Sequence, residues 1–168
     1  MMILLRLIHV MCGALVVGGV VLLNAFIMPA IGRAGPAGGQ VIQQLTQRTA
    51  LMKYLPSVGG FAVLSGIALF VLDTKMSNGT FASSPMGMTY SIGGLAAALS
   101  LIIGSAMGAR SGKEMGSIIA AVAASGGPPT GAQATRIGEL QAKMRTGGMI
   151  STALILVAIA AMSVARYV

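Results

Sequence analysis

The chain has 168 residues, 55% of them hydrophobic and only 8% charged, with a formal net charge of +8 and a mean hydropathy of +0.88. Globular domains in water carry about 25% charged residues, so this composition excludes an ordinary soluble domain and points to apolar runs of about 20 residues, the length that crosses a hydrocarbon core of roughly 30 Å. The positive charge would suggest nucleic acid in a soluble protein, but the sequence has no stripe of basic and aromatic residues, so nucleic acid is not an expected partner.

The first apolar run, Leu7 to Ile31, follows Arg6 and holds no further charge. It is about twice a signal-peptide core of 7 to 15 residues, and Pro29 to Gly39 offers no clear small-residue cleavage site, so a helix over about 3–31 is expected. From Gln40 to Lys53 apolar residues recur at helical spacing among glutamines, which predicts a second helix over about 40–72 that starts ahead of the membrane and bends at Pro56. Asp73 to Gly87 is rich in Ser, Gly, Asn and Pro and reads as a loop. The third apolar run, Thr89 to Ala109, is closed by Arg110 and predicts a helix over about 89–110. Residues 111–124 read as a short helix on the membrane surface or packed on the bundle, ended by the "SGGPP" that follows. The fourth helix is expected over about 130–166, with a polar extension as far as a weak point at Gly147 and Gly148 and a span from Met149 to Ala165. Glu139 stands four residues before Lys143 on the extension, a spacing that supports a helix.

Backbone groups in lipid must pair within their own segment, so spans of this length are helices. The expected fold is all-α: a single domain, 1–168, forming a polytopic four-transmembrane-helix bundle with cytoplasmic extensions of helices 2 and 4. Arg33, Arg48, Lys53, Arg110, Lys113, Arg136, Lys143 and Arg145 fall on one face, against Arg6, Lys75 and Arg166 on the other. The excess of basic residues on cytoplasmic loops then puts both termini on the periplasmic side of a bacterial inner membrane. Arg110, Lys113, Lys143 and Arg145 are expected to meet anionic lipid headgroups.

Glycine and alanine on every span allow close helix approach, and Gly104 with Gly108 forms a GxxxG pair suited either to dimerisation or to packing within the bundle. The only histidine and the only cysteine, His9 and Cys12, lie three residues apart on neighbouring parts of one helix face. An ionisable residue inside lipid is costly and marks a candidate site. Three readings are open. His9 hydrogen-bonds a neighbouring helix; or it is a ligand for haem b or copper, with Cys12 or a methionine such as Met11 or Met28 beside it; or it serves a proton or quinone role. A single histidine rules out a bis-histidine haem within one chain, and Asp73, Glu114 and Glu139 are badly placed to complete a tetrahedral zinc site. No carboxylate pair suits acid and base chemistry, no nucleophile has a base at hand, and the glycine-rich stretches lack the context of a phosphate loop, so no catalysis is expected. The lack of intramembrane acids or lysines also argues against a transporter.

The opening "LLRLIHVMCGALVVGGVVLLNAFIMPAI" resembles the first helix of small bacterial inner-membrane proteins that include the CopD-like copper-resistance proteins and uncharacterised integral membrane families. The matching residues are Arg6, His9, Val17, Gly18 and Gly19, while the tryptophan of their W-x-G-G pattern is replaced, since the chain has none. "GGPP" at 126–129 and the closing "MSVARYV" extend the resemblance along the chain. It implies a four-helix bundle with His9 facing inward, and association with haem or copper as in the related protoporphyrinogen oxidases of the HemJ type, whose additional polar site residues have no counterpart here. The functional expectation is an accessory or assembly subunit of a larger bacterial membrane complex, in contact with lipid and with other subunits or further copies of itself. The alternative is a haem- or copper-handling protein that uses His9.

Overall fold

A computed structural model describes residues 2–34 and 36–168, and among them the only regular structure is helical. Helix α1 covers Met2–Arg33 and passes through a π-helical segment at Leu22–Ile27. Helix α2, Pro36–Gln43, continues as a π turn over Gln44–Arg48. Helix α3, Leu51–Met76, follows a break at Thr49 and Ala50. The extension expected on the second helix is therefore a separate piece. A local hydroxyl causes the break: Thr49 Oγ1 accepts from the Leu51 N–H at 3.3 Å, competing with the helical ladder.

Beyond α3 the chain turns at Asn78 (φ 53°) and Gly79 (φ 89°) into one short turn, α4, Thr80–Ser83. Helix α5 then runs from Pro85 to Ser125, with a π segment at Gly104–Ala109. It begins four residues earlier than the apolar run suggests, because Ser84 caps it by accepting from the Gly87 N–H at 3.0 Å and Pro85 supplies the first turn. The short helix expected over 111–124 is the continuation of α5. It packs on the bundle, burying Ser111, Gly112, Met115 and Gly116.

Helix α6, Gly131–Val164, opens with a reciprocal cap. The Gln133 N–H donates to Thr130 Oγ1 at 3.3 Å and the Thr130 N–H donates to Gln133 Oε1 at 2.9 Å. The helix passes through Gly147 and Gly148 without interruption, contrary to the weak point expected there. Both glycines are points of close approach instead: a Cβ at Gly147 would lie 2.6 Å from Met107 Cβ, and one at Gly148 would lie 2.6 Å from Asn24 Oδ1.

The four long helices α1, α3, α5 and α6 are each long and apolar enough to cross a membrane. They form two antiparallel pairs, α1 along α3 and α5 along α6. Small residues set the second pair: Gly93 meets Ala161, Gly104 meets Ser151, and the buried Ser100 and Ser151 hydroxyls lie 2.8 Å apart. Such contacts hold helices in lipid, where apolar burial against other helices gains little. Gly104 of the GxxxG pair thus packs within the bundle, while a Cβ at Gly108 would meet nothing within 4 Å.

The two pairs are joined at the end that carries the first and third loops. There Ile31, Met115 and Leu140 form a small buried core, and Asn24 Nδ2 donates to Gly148 O at 3.2 Å and to Thr152 Oγ1 at 3.0 Å. Leu101 of α5 rests on Gly59 of α3 near mid-span. Between the pairs remains a cleft of 2510 Å³ lined by all four long helices. Large apolar side chains such as Leu4, Leu64, Ile92 and Ile102 are exposed on the outside, as a lipid-facing surface requires.

Candidate functional site

His9 stands two turns into α1, on the face that packs against α3. Gly66 of α3 lies beneath its ring: a Cβ there would sit 2.8 Å from His9 Cε1 and 3.2 Å from Nδ1, so glycine is what admits the imidazole. His9 Nδ1 lies 2.8 Å from Ala62 O. A carbonyl oxygen can only accept, so Nδ1 carries the proton and donates it. Ser65 Oγ is 3.3 Å from the same nitrogen, but its own hydrogen is directed to Phe61 O, at the shorter distance of 2.6 Å. Ser65 thereby offers Nδ1 a second acceptor and not a competing donor. In the neutral ring the tautomer is then fixed, with Nε2 unprotonated. Nε2 makes no hydrogen bond to any described residue, and His9 lines the cleft.

One turn closer to the chain termini, Arg6 pairs with Asp73 at 3.6 Å, so the same two helices are joined again by an ion pair that is exposed on the arginine side. Phe70 of α3 meets Phe81 edge-on with ring centroids 5.5 Å apart, and Phe81 stacks on Tyr90 of α5 at 6.2 Å. These rings tie α3, α4 and α5 together near the mouth of the cleft.

The residues expected to share a ligand with His9 are not gathered around it. Cys12 is a half-buried free thiol and is not among the residues lining the cleft. Met11 is 57% exposed on the outside of the bundle. Met28 lines the cleft, but it is 19 residues along the same helix, about 28 Å away at 1.5 Å per residue. Among the described residues no group of three or more His, Cys, Asp or Glu side chains converges.

The basic residues at the other end are brought to one level. Met107 against Gly147 and Glu114 against Arg136 fix the register of α5 on α6, which places Arg110, Lys113, Lys143 and Arg145 in a band about one helical turn deep. All four are exposed, immediately beyond the apolar spans. Arg136, farther out, is held by Glu114 at 2.7 Å and Glu139 at 2.9 Å. Its guanidinium, hydrogen-bonded to Glu114 outside the spanning segments, holds that carboxyl below its ordinary range. Ala62, Ser65 and Gly66 are the site residues that the apolar pattern conceals. The adjacent Ser65 and Gly66 in an apolar span were the available signal, since a serine inside lipid needs a partner and a glycine beside it admits one.

No family model, no curated protein and no solved structure matches the chain.

Proposed function

We propose that the chain is an integral membrane protein without catalysis of its own, acting as an accessory or assembly subunit of a larger complex in a bacterial inner membrane. In this reading the first and third loops and the basic band lie in the cytoplasm, with both termini on the periplasmic side, following the distribution of lysine and arginine. The observation that supports it is how little of each span the chain covers by itself. In the most apolar stretches only 6% to 22% of residues are buried, and the two helix pairs leave an open cleft between them, so most of the spanning surface is available to other helices or to lipid. The test is purification of the tagged protein from its own membrane in two mild detergents, followed by native mass measurement and cross-linking. A second polypeptide at fixed stoichiometry in both detergents supports the reading, and a monodisperse single chain in both overturns it.

One observation favours a second reading, a haem- or copper-handling protein. Metal-bound histidines commonly donate their second N–H to a carbonyl, and the Nδ1–H of His9 does so to Ala62. Absorption spectra and metal analysis of wild type and His9→Ala decide it: a Soret band or stoichiometric copper lost in the variant supports this reading, and a colourless, copper-free wild type overturns it.

A further inference from the structure

We propose that the cleft beside His9 binds a membrane-soluble aromatic alcohol of the hydroquinone type, whose hydroxyl donates a hydrogen bond to His9 Nε2. The inference goes beyond a subunit role and does not depend on it.

The argument begins with the acceptor. Because Ala62 O takes the Nδ1 proton at 2.8 Å, the ring cannot turn its lone pair toward α3, and Nε2 is the atom left for a ligand. An acceptor without a donor in apolar surroundings costs free energy that an arriving O–H recovers. Fully deprotonated oxyanions such as sulfate offer only lone pairs and would oppose the Nε2 lone pair. A bare metal ion would need further protein ligands, and Cys12 and Met28 stand off.

The space is present as well. Gly13 follows His9 by one turn on the same face of α1 and lines the cleft, and a Cβ on it would meet nothing within 4 Å. Gly94 of α5 also lines the cleft and is open in the same way. Leu101 rests on Gly59, and seven residues toward the termini along each antiparallel helix, about 10 Å, lead to Gly94 and Gly66. Gly94 is therefore at the depth of the His9 ring. One turn farther out, Tyr90 lines the cleft with its ring stacked at 30° on Phe81, an aromatic wall for a flat ligand. Arg6, Asp73 and Arg166 line the cleft toward the termini, and most of the remaining lining is aliphatic, which suits a ligand dissolved in the bilayer.

The test uses the full chain in nanodiscs with the short-tailed probe decylubiquinol and its oxidised form decylubiquinone, quantifying bound ligand after equilibrium gel filtration. Wild type is expected to hold one molar equivalent of the hydroquinone and to bind the quinone, which lacks a donating hydroxyl, at least ten-fold more weakly. His9→Phe is expected to weaken hydroquinone binding at least ten-fold. Gly13→Leu is expected to do the same while melting no lower than wild type, because its Cβ enters open space. Equal affinity for hydroquinone and quinone, unchanged binding by Gly13→Leu, no binding by wild type, or haem or copper occupying His9 in the purified protein would each overturn the proposal.

Discussion

Replacing Gly66 with alanine places a methyl carbon 2.8 Å from His9 Cε1 and 3.2 Å from Nδ1, where carbon contacts prefer about 3.5–4.0 Å. The ring must retreat by roughly 0.7 Å or more, which stretches the 2.8 Å bond from Nδ1 to Ala62 O to about the limit of a useful hydrogen bond. Overpacking of this kind costs about 1–3 kcal/mol. Loss of an interhelical hydrogen bond in a membrane adds about 0.6 kcal/mol. The better helix propensity of alanine returns about 0.8–1 kcal/mol, leaving a net destabilisation of about 0.6–2.8 kcal/mol. Gly60→Ala, on the same helix, is the control: its Cβ meets nothing within 4 Å, so only the propensity gain applies. Reversible unfolding in mixed micelles with increasing SDS, followed by circular dichroism, should rank Gly60→Ala at or above wild type and Gly66→Ala below both. If the two variants unfold together, His9 does not pack on Gly66 and the site as described fails.

Asn24→Leu removes both hydrogen bonds that join α1 to α6 and presses on the close approach at Gly148. It should cost about 1–2 kcal/mol in the same unfolding assay. Changing Arg110, Lys113, Lys143 and Arg145 together to glutamine should lower the number of anionic lipids retained in native mass spectra, since each basic residue at a charged surface contributes about 1 kcal/mol. Glu114 has a lowered pKa in the folded chain, so its contribution is fully present above the ordinary carboxylate range and is lost as the pH falls through the lowered value. Hydrogen-exchange protection factors, corrected for the intrinsic rate at each pH, should therefore fall in residues 110–145 under acid conditions while the four spans stay protected. High salt should weaken this pH effect, because the pair is exposed.

The spans were legible because a membrane helix is written in composition over about 20 residues and needs no knowledge of its neighbours. Helix ends were less so. Pro85 starts α5 inside a stretch that reads as loop, because a serine cap followed by proline looks like a turn until the helix is seen beyond it. The break at Thr49 was hidden within a helical pattern, because one hydroxyl bond decides it. At the site, His9 stood out as the one basic side chain inside the first span. Its partner is a backbone carbonyl, whose identity depends on the register of α3 against α1 and so leaves no mark in residue types. Cys12 and Met28 show the same limit. Three residues leave Cys12 about 60° around the helix from His9, and whether that keeps it in the cleft depends on how the neighbouring helices are placed. Met28 shares the cleft with His9 but lies at the opposite end of the same helix.

The most direct measurement is nitrogen-15 NMR of the chain labelled only at histidine and held in nanodiscs, since a single histidine gives a single pair of ring signals. A protonated Nδ1 and an unprotonated Nε2, with the Nδ1 signal shifting in Gly66→Ala, are what the bond to Ala62 predicts. A proton on Nε2 with a bare Nδ1 would contradict that bond and, with it, both the site and the ligand assigned to it.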